Sequence, residues 1–511
     1  MSDAENQTPD SKVDKPAATK RVSAVNSAVV LGGTQAIKLG LSIATTIVVA
    51  RLLAPAEYGV IAMVAPIMAF IYMAQDFGFS VTTVQRPTLH ADESSAMFWL
   101  NVVASLVLAA LLLAFAPVAA WFYDDVRAGY ATAAAAPSIL VSSVALQHTA
   151  LLTRNMRFTA LAACEVTYAV VTLIASALLA FWLRNYWALV LGTITGIVFH
   201  SLALWRACEF RPTWPPSVRA ARGMLRSGGH LTSAGFLTFL MRNADTVLVA
   251  KFWGPVAAGL YDRCYRLMML PLQNINGPLN RLLLPLLSRN QTAPTIYRRH
   301  FLLSARAVML ASAPAIAVGA ATSSELMPFL LGPKWVEAGP IFFWLGMTGL
   351  LQPIPSLTLL LLTSRGKTHL LMTTTAASAL VTLAAFAVGL RWGAEGVAAA
   401  FFLSTALRTP AMFYVCTQDC PVTQGDLWRV QLEPLLGAAL AALLAHRLLG
   451  YMSLLETLAL TMPVAYGLSV CTSFCLSRDG RAHTTELVSI VRQLASRSPI
   501  ASWLPSRSFR S

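Results

Sequence analysis

The feature that most restricts this chain is a succession of apolar runs about twenty residues long, joined by short polar connections, from residue 26 to residue 476. In hydrocarbon every backbone N–H and C=O must be paired within the protein, and a lone segment achieves that only as a helix. Runs fall near 26–50, 59–82, 96–120, 131–152, 160–183 and 186–206, then near 229–250, 257–284, 301–322, 340–363, 369–390 and 395–416. Two more lie near 432–450 and 455–476. The expectation is an all-α polytopic membrane protein with about 14 transmembrane helices. Only 12% of residues are charged, about half the roughly 25% of a soluble protein.

A net charge of +15 would point to nucleic acid only if basic residues clustered on a soluble surface with interleaved aromatics. Here they recur between apolar runs, so no nucleic-acid partner is expected. With the N-terminus cytoplasmic, about 24 Lys and Arg fall in inside segments and 7 in outside ones, the asymmetry of the positive-inside rule. Both termini are therefore placed in the cytoplasm. The first 21 residues are polar and contain proline, without the apolar core and cleavage site of a secretory signal. They are read as a disordered cytoplasmic N-terminus. Seven cysteines lie in or beside apolar runs and eight histidines form no cluster, so no metal site and no cofactor is expected.

An internal repeat sets the organisation. Val49-Ala50-Arg51, Pro55 and Gly59 recur 200 residues later as Val249-Ala250-Lys251, Pro255 and Gly259, with Thr46 matched by Thr246 and Asp76 opposite Asn276. Each half holds six runs, an even number, so the halves point the same way and are related by an axis along the membrane normal. Residues 22–206 then form an N-terminal six-helix bundle, 207–228 a basic cytoplasmic linker and 229–416 a C-terminal six-helix bundle. Residues 417–476 supply two additional helices and 477–511 a basic cytoplasmic tail. Two parallel bundles enclose a central cavity.

The second copy carries most of the charge. Arg263, Arg266 and Arg281, with Gln273 and Asn274, share a polar stripe in the eighth run, and Arg242 stands in the seventh. Lys38 shares a helical face with Gln35, Ser42 and Thr45 in the first. An arginine facing lipid at mid-membrane costs about 2.5–3.5 kcal/mol on the insertion scale, which favours a hydrated cavity. A cationic cavity binds an anion, and the guanidinium fork suits phosphate. The alternative is that Arg242 pairs with Asp245 at i, i+3 while Arg263 and Arg281 snorkel to the interfaces. Asp76 and Asp245 are the candidate ion-coupling acids, Glu165 a weaker one. Pro271 and Pro278 suggest kinks, and Gly192/Gly196 and Gly389/Gly393 suggest close helix packing.

Ala50-Arg51-Leu52-Leu53 followed by Pro55, Glu57, Tyr58 and Gly59, and then Asn243, Asp245, Gly254, Gly259, Tyr261, Arg266, Pro271 and Leu284-Pro285-Leu286-Leu287-Ser288, carry a resemblance over residues 22–476. The chain resembles the polysaccharide-export flippases of the multidrug/oligosaccharidyl-lipid/polysaccharide exporter superfamily. That resemblance implies two six-helix lobes plus two helices and alternating access. It also implies a substrate, an undecaprenyl-pyrophosphate-linked oligosaccharide moved from the cytoplasmic to the periplasmic leaflet of the bacterial inner membrane for exopolysaccharide or O-antigen synthesis. Lipid-linked oligosaccharide, membrane lipids and other polysaccharide assembly proteins are the partners it suggests. Two other readings are an ion-coupled multidrug antiporter, whose cavity should favour acids and aromatics, and a membrane glycosyltransferase or polymerase. An enzyme of that kind should carry a sizeable catalytic loop, and the longest outside loop, near 322–340, holds only Glu325 and Glu337 as acids.

Overall fold

The computed structural model describes residues 18–75, 79–85, 90–214 and 218–497; its description of side chains excludes 18–32, 79, 81, 85, 218–242, 275–278, 281 and 490–497. The described residues contain helices and no strand. The first half comprises α1 (Ala18–Leu52), α2 (Pro55–Gln75), α3 (Phe79–Gln85), α4 (Ala91–Tyr123), α5 (Val126–Arg154), α6 (Phe158–Leu183) and α7 (Trp187–Ala207). The second comprises α8 (Val218–Arg289), α9 (Pro294–Ala321), α10 (Ser323–Leu331), α11 (Ala338–Leu351), α12 (Pro353–Ser364), α13 (Thr368–Gly389) and α14 (Gly393–Thr417). Then follow α15 (Gln424–Leu448), α16 (Leu454–Cys475) and α17 (Arg478–Arg497).

Eleven segments among the described residues are long and apolar enough to cross a membrane. The sequence suggests about 14. The difference lies in α8, which holds the seventh and eighth expected runs, and in Thr368–Thr417, where α13 and α14 count together. Helix ends follow local chemistry. Thr423 and Asp426 exchange side-chain-to-backbone hydrogen bonds of 3.2 and 3.0 Å at the start of α15, and Ser453 and Glu456 do the same for α16, reciprocal caps that satisfy donors the helix leaves over. The break in α8 falls at Gly254 (φ 76°, ψ −172°), a left-handed φ that glycine adopts without a Cβ clash. Pro271 and Pro278, from which kinks are expected, lie within the helical residues that follow Gly254, each removing one backbone donor from the helix.

The halves are knitted by close contacts. α1 lies along α6, α4 along α5, and α6 along α7; α11 and α13 flank α14, and α15 packs on both α9 and α16. Gly192 and Gly196 of α7 sit where a Cβ would fall 2.1 Å from Ser176 Oγ and 2.0 Å from Thr172 Oγ1 of α6, as the small-residue spacing suggests. Gly393 does something else: with φ +75° it makes the turn into α14, and the backbone that Gly389 meets is that of Gly396.

Arg306 of α9 is 1% exposed and pairs at 2.8 Å with Glu433 of α15, itself 6% exposed. Its Nη1 also donates to the Ser473 carbonyl of α16. Removing one member of such a pair leaves a buried charge, at a cost of about 3–5 kcal/mol. Glu433→Ala is therefore expected to lower the melting temperature of the purified protein by several degrees. Arg306→Met with Glu433→Leu should recover most of that loss.

α17 docks on this corner. Arg298 donates from one Nη2 to both Asp426 (2.6 Å) and Asp479 (2.8 Å), and Arg299 pairs with Glu486. Between them His483 is 8% exposed. Burial, then the nearby Arg306 charge, pushes its imidazole below the ordinary value, with Asp479 and Glu486 opposing and Arg298 reinforcing. The released helix then binds the proton more readily than the docked one. Docking should be stable above about pH 6.5, the free histidine value, and weaken as pH falls below it. Amide exchange in α17, corrected for intrinsic rate, should rise between pH 7.5 and 5.5, and the rise should vanish in His483→Gln.

Candidate functional site

The two copies of the repeat meet face to face. Gly59 of α2 lies against the backbone of Pro255 in α8, where a Cβ would fall 1.7 Å from the Pro255 carbonyl oxygen. Gly259 lies against Pro55, where a Cβ would fall 2.0 Å from its carbonyl oxygen. Each copy thus presents its glycine to the proline of the other, the reciprocal contact of a two-fold interface, here within one chain. Val49, Ala50, Val249 and Ala250 around it are at most 1% exposed. This contact, the gate candidate, brings the halves together at the end that carries the α1–α2 turn and the bend of α8.

Residues from outside the repeat fasten it. Trp335, fully buried, donates from Nε1 to the Ala50 carbonyl at 2.9 Å and meets the ring of Tyr58 edge-on at 5.4 Å. Arg51 donates to the carbonyls of Phe329 (2.6 Å) and Leu330 (3.3 Å) at the end of α10, where a helix terminus offers unpaired acceptors and partial negative charge. Trp253 donates to the Leu390 carbonyl, and Glu57 accepts from the Tyr186 backbone N–H at 2.7 Å.

One turn beyond Gly259, Asp262 gathers two of the predicted arginines. Its carboxylate is 8% exposed and receives Arg263 Nη2 at 2.5 Å and Arg266 Nε at 2.9 Å. Arg263, 13% exposed, also lies over the face of Tyr58 at 4.5 Å. Arg266 is 53% exposed. Two guanidinium groups on one carboxylate leave a net positive charge, with the more accessible arginine the one free to turn. A charge-assisted hydrogen bond contributes about 1.5–3 kcal/mol net and the cation–π contact about 0.5–2 kcal/mol, so the carboxylate holds Arg263 more strongly than the ring does.

The other sequence candidates are dispersed. Lys38 is matched by Glu165 of α6 at 2.8 Å, both about one third exposed. Gln273 and Asn274 are exposed on α8, with Asn274 donating to the Leu270 carbonyl. Asp245 is 4% exposed and accepts from the Tyr261 hydroxyl (3.0 Å) and the Thr246 backbone N–H (2.7 Å). The expected partner Arg242 lies outside the described side chains, as does Arg281, and Asp76 lies outside the described residues. Asp262, at the centre of this cluster, is the residue that the sequence reading passes over. Its i, i+4 spacing to Arg266 is a usable signal, overshadowed by Asp245 standing in the repeat skeleton. Trp335 carries no sequence signal beyond being an aromatic in a loop.

The profile of the polysaccharide biosynthesis protein family matches residues 48–340, a range containing both copies of the repeat and the Asp262 cluster. The chain is 24% identical over 287 residues to the teichuronic acid biosynthesis protein TuaB of Bacillus subtilis (strain 168), over 55% of this chain and 59% of that one. It is 22% identical to the lipopolysaccharide biosynthesis protein WzxC of Escherichia coli (strain K12), over 74% and 77% of the two chains. Among solved structures, the lipid II flippase MurJ in an inward closed conformation superposes with a TM-score of 0.70 at 13% identity, over 89% of this chain and 99% of that one. An inward-facing multidrug resistance transporter of the MATE family gives 0.61 at 13% identity, over 77% and 95%. The superpositions establish the fold as the one shared by MurJ and the MATE transporter.

Proposed function

The chain belongs to the polysaccharide biosynthesis protein family, and on that premise we propose that it is a transporter, not an enzyme, which flips lipid-linked oligosaccharide across the bacterial inner membrane. The lipid diphosphate, in the undecaprenyl class, engages the arginines beside the gate, and the sugar follows through the space between the halves. The observation that carries the reading is the cluster at Asp262: two arginines, one half-exposed, on a single carboxylate one turn from the contact between the repeats. A cationic group placed there favours an anionic headgroup over the cationic drugs of an antiporter. The fold is common to both kinds of transporter and does not choose between them; family membership and charge do.

With both termini cytoplasmic, the gate end faces the periplasm, and the gate-closed state is the one that loads from inside. Residues 22–206 and 229–416 act as the moving lobes, 207–228 as their linker and 417–476 as two accessory helices, with alternating access between them. WzxC and TuaB are proteins of lipopolysaccharide and teichuronic acid biosynthesis, which supports an exported glycan as the product. Asp245 and Asp76 are the acids proposed for ion coupling.

Deleting the protein from its host should make lipid-linked oligosaccharide accumulate on the cytoplasmic face and stop export of one glycan; Arg266→Ala should restore export poorly at normal abundance. Normal glycan export in the deletion, with no lipid-linked intermediate accumulating, would rule the reading out.

A further inference from the structure

Arg263 and Arg266 share Asp262, yet only Arg263 touches the gate, through Tyr58. That ring meets Trp335, and Trp335 donates to the carbonyl of Ala50, a buried residue of the same repeat copy as Gly59. A continuous set of contacts therefore runs from a half-exposed arginine to the gate, with a carboxylate at its centre. Resting on the diphosphate reading above, we propose that Asp262 is a built-in stand-in for the substrate's diphosphate. In this structure its one carboxylate holds both arginines; an incoming diphosphate takes Arg266, then draws Arg263 off the Tyr58 face and loosens the Tyr58–Trp335–Ala50 contact that keeps the gate shut.

The order of events follows from exposure and acceptor number. Arg266 is the more exposed of the two arginines and the first that an incoming diphosphate meets. A diphosphate offers many more acceptor positions than the one carboxylate, and its charge reaches Arg263 next door. A ligand that prefers the loosened arrangement shifts the population toward it in proportion to that preference. A ligand lacking the diphosphate has no such preference and leaves the gate closed.

The test uses the full-length protein in detergent with farnesyl diphosphate as probe and farnesol as the chain-only control. Ala258→Cys, at a fully buried position of α8 beside the gate, reports opening through its rate of maleimide labelling, with the exposed Cys471 and Cys475 replaced by serine. Farnesyl diphosphate should raise that rate about fivefold or more and farnesol should not. Tyr58→Leu should label fast without ligand and lose the response while binding farnesyl diphosphate within about threefold of the parent; Tyr58→Phe, which keeps the ring, should behave as the parent does. Asp262→Asn, lacking the competing carboxylate, should bind farnesyl diphosphate several-fold more tightly, whereas a purely structural aspartate would weaken binding when removed.

Binding without any change in labelling, or a response that survives in Tyr58→Leu, would overturn the coupling and leave the diphosphate reading standing. Unchanged or weaker binding by Asp262→Asn would overturn the stand-in role. Failure of the parent protein to bind farnesyl diphosphate would overturn the diphosphate reading itself, and the coupling with it.

Discussion

Gly59→Ala is expected to abolish transport at near-normal membrane abundance. The added methyl falls 1.7 Å from the carbonyl oxygen of Pro255 and 2.7 Å from its Cα. Both are backbone atoms that cannot rotate away, and the proline ring restricts them further. Overpacking ordinarily costs about 1–3 kcal/mol, occasionally more. At ~3 kcal/mol the closed gate is disfavoured by about a hundredfold, so a cycle that must pass through this state stalls. Gly259→Ala, with its methyl 2.0 Å from the Pro55 carbonyl oxygen, should behave the same way because the contact is reciprocal.

The control lies in the same half. A methyl group added at Gly40 of α1 would meet no atom within 4 Å, and alanine in a helix interior is favoured over glycine by about 0.5–1 kcal/mol. Gly40→Ala should therefore leave transport intact and slightly raise the melting temperature. Complementation of a strain lacking the protein, with abundance measured by immunoblot, separates the three variants. Wild-type transport by Gly59→Ala would show that the repeats need not close on one another at this point.

The second large effect concerns charge. Arg263→Ala with Arg266→Ala strips Asp262 of both partners and leaves a carboxylate with 8% exposure unpaired. Breaking a buried pair by removing one side costs about 3–5 kcal/mol, a large share of the roughly 5–15 kcal/mol that holds a typical protein folded. The double variant should accumulate poorly. Adding Asp262→Ala removes the orphaned charge and should return abundance to within about twofold of wild type.

Transport should not return with it, because the triple variant lacks the two cations that the cluster offers to the anionic headgroup. Less than about a tenth of wild-type glycan export is expected from a loss of two charge-assisted contacts. Full export by the stable triple variant would reduce the cluster to a structural role. The two measurements thus divide what the arginines do for the fold from what they do for the substrate, which neither single substitution can do.

Much of this protein is readable from its sequence because the bilayer leaves so few choices. A run of about twenty apolar residues must become a helix when no water can pair its backbone, so the helices and their order follow from residues alone. The 200-residue repeat is legible because Val-Ala-basic, Pro and Gly recur at the same spacing in both halves. The arginines of α8 stand out because charge in an apolar run is costly. What one dimension could not supply is the partner of each feature. Glycine in a helix reads equally as a packing site or a turn, and only the fold shows that Gly59 and Gly259 meet each other's prolines while Gly393 turns the chain. An arginine reads as a ligand site or an ion pair, and the answer depended on the rotamers that bring Arg263 and Arg266 onto Asp262 and Lys38 onto Glu165, 127 residues away. Trp335 reaches Ala50 across 285 residues. Hydrophobicity is local and periodic and is fixed in the sequence, whereas the pairing of charges and the closing of the gate depend on how distant helices meet, and only the tertiary structure decides that.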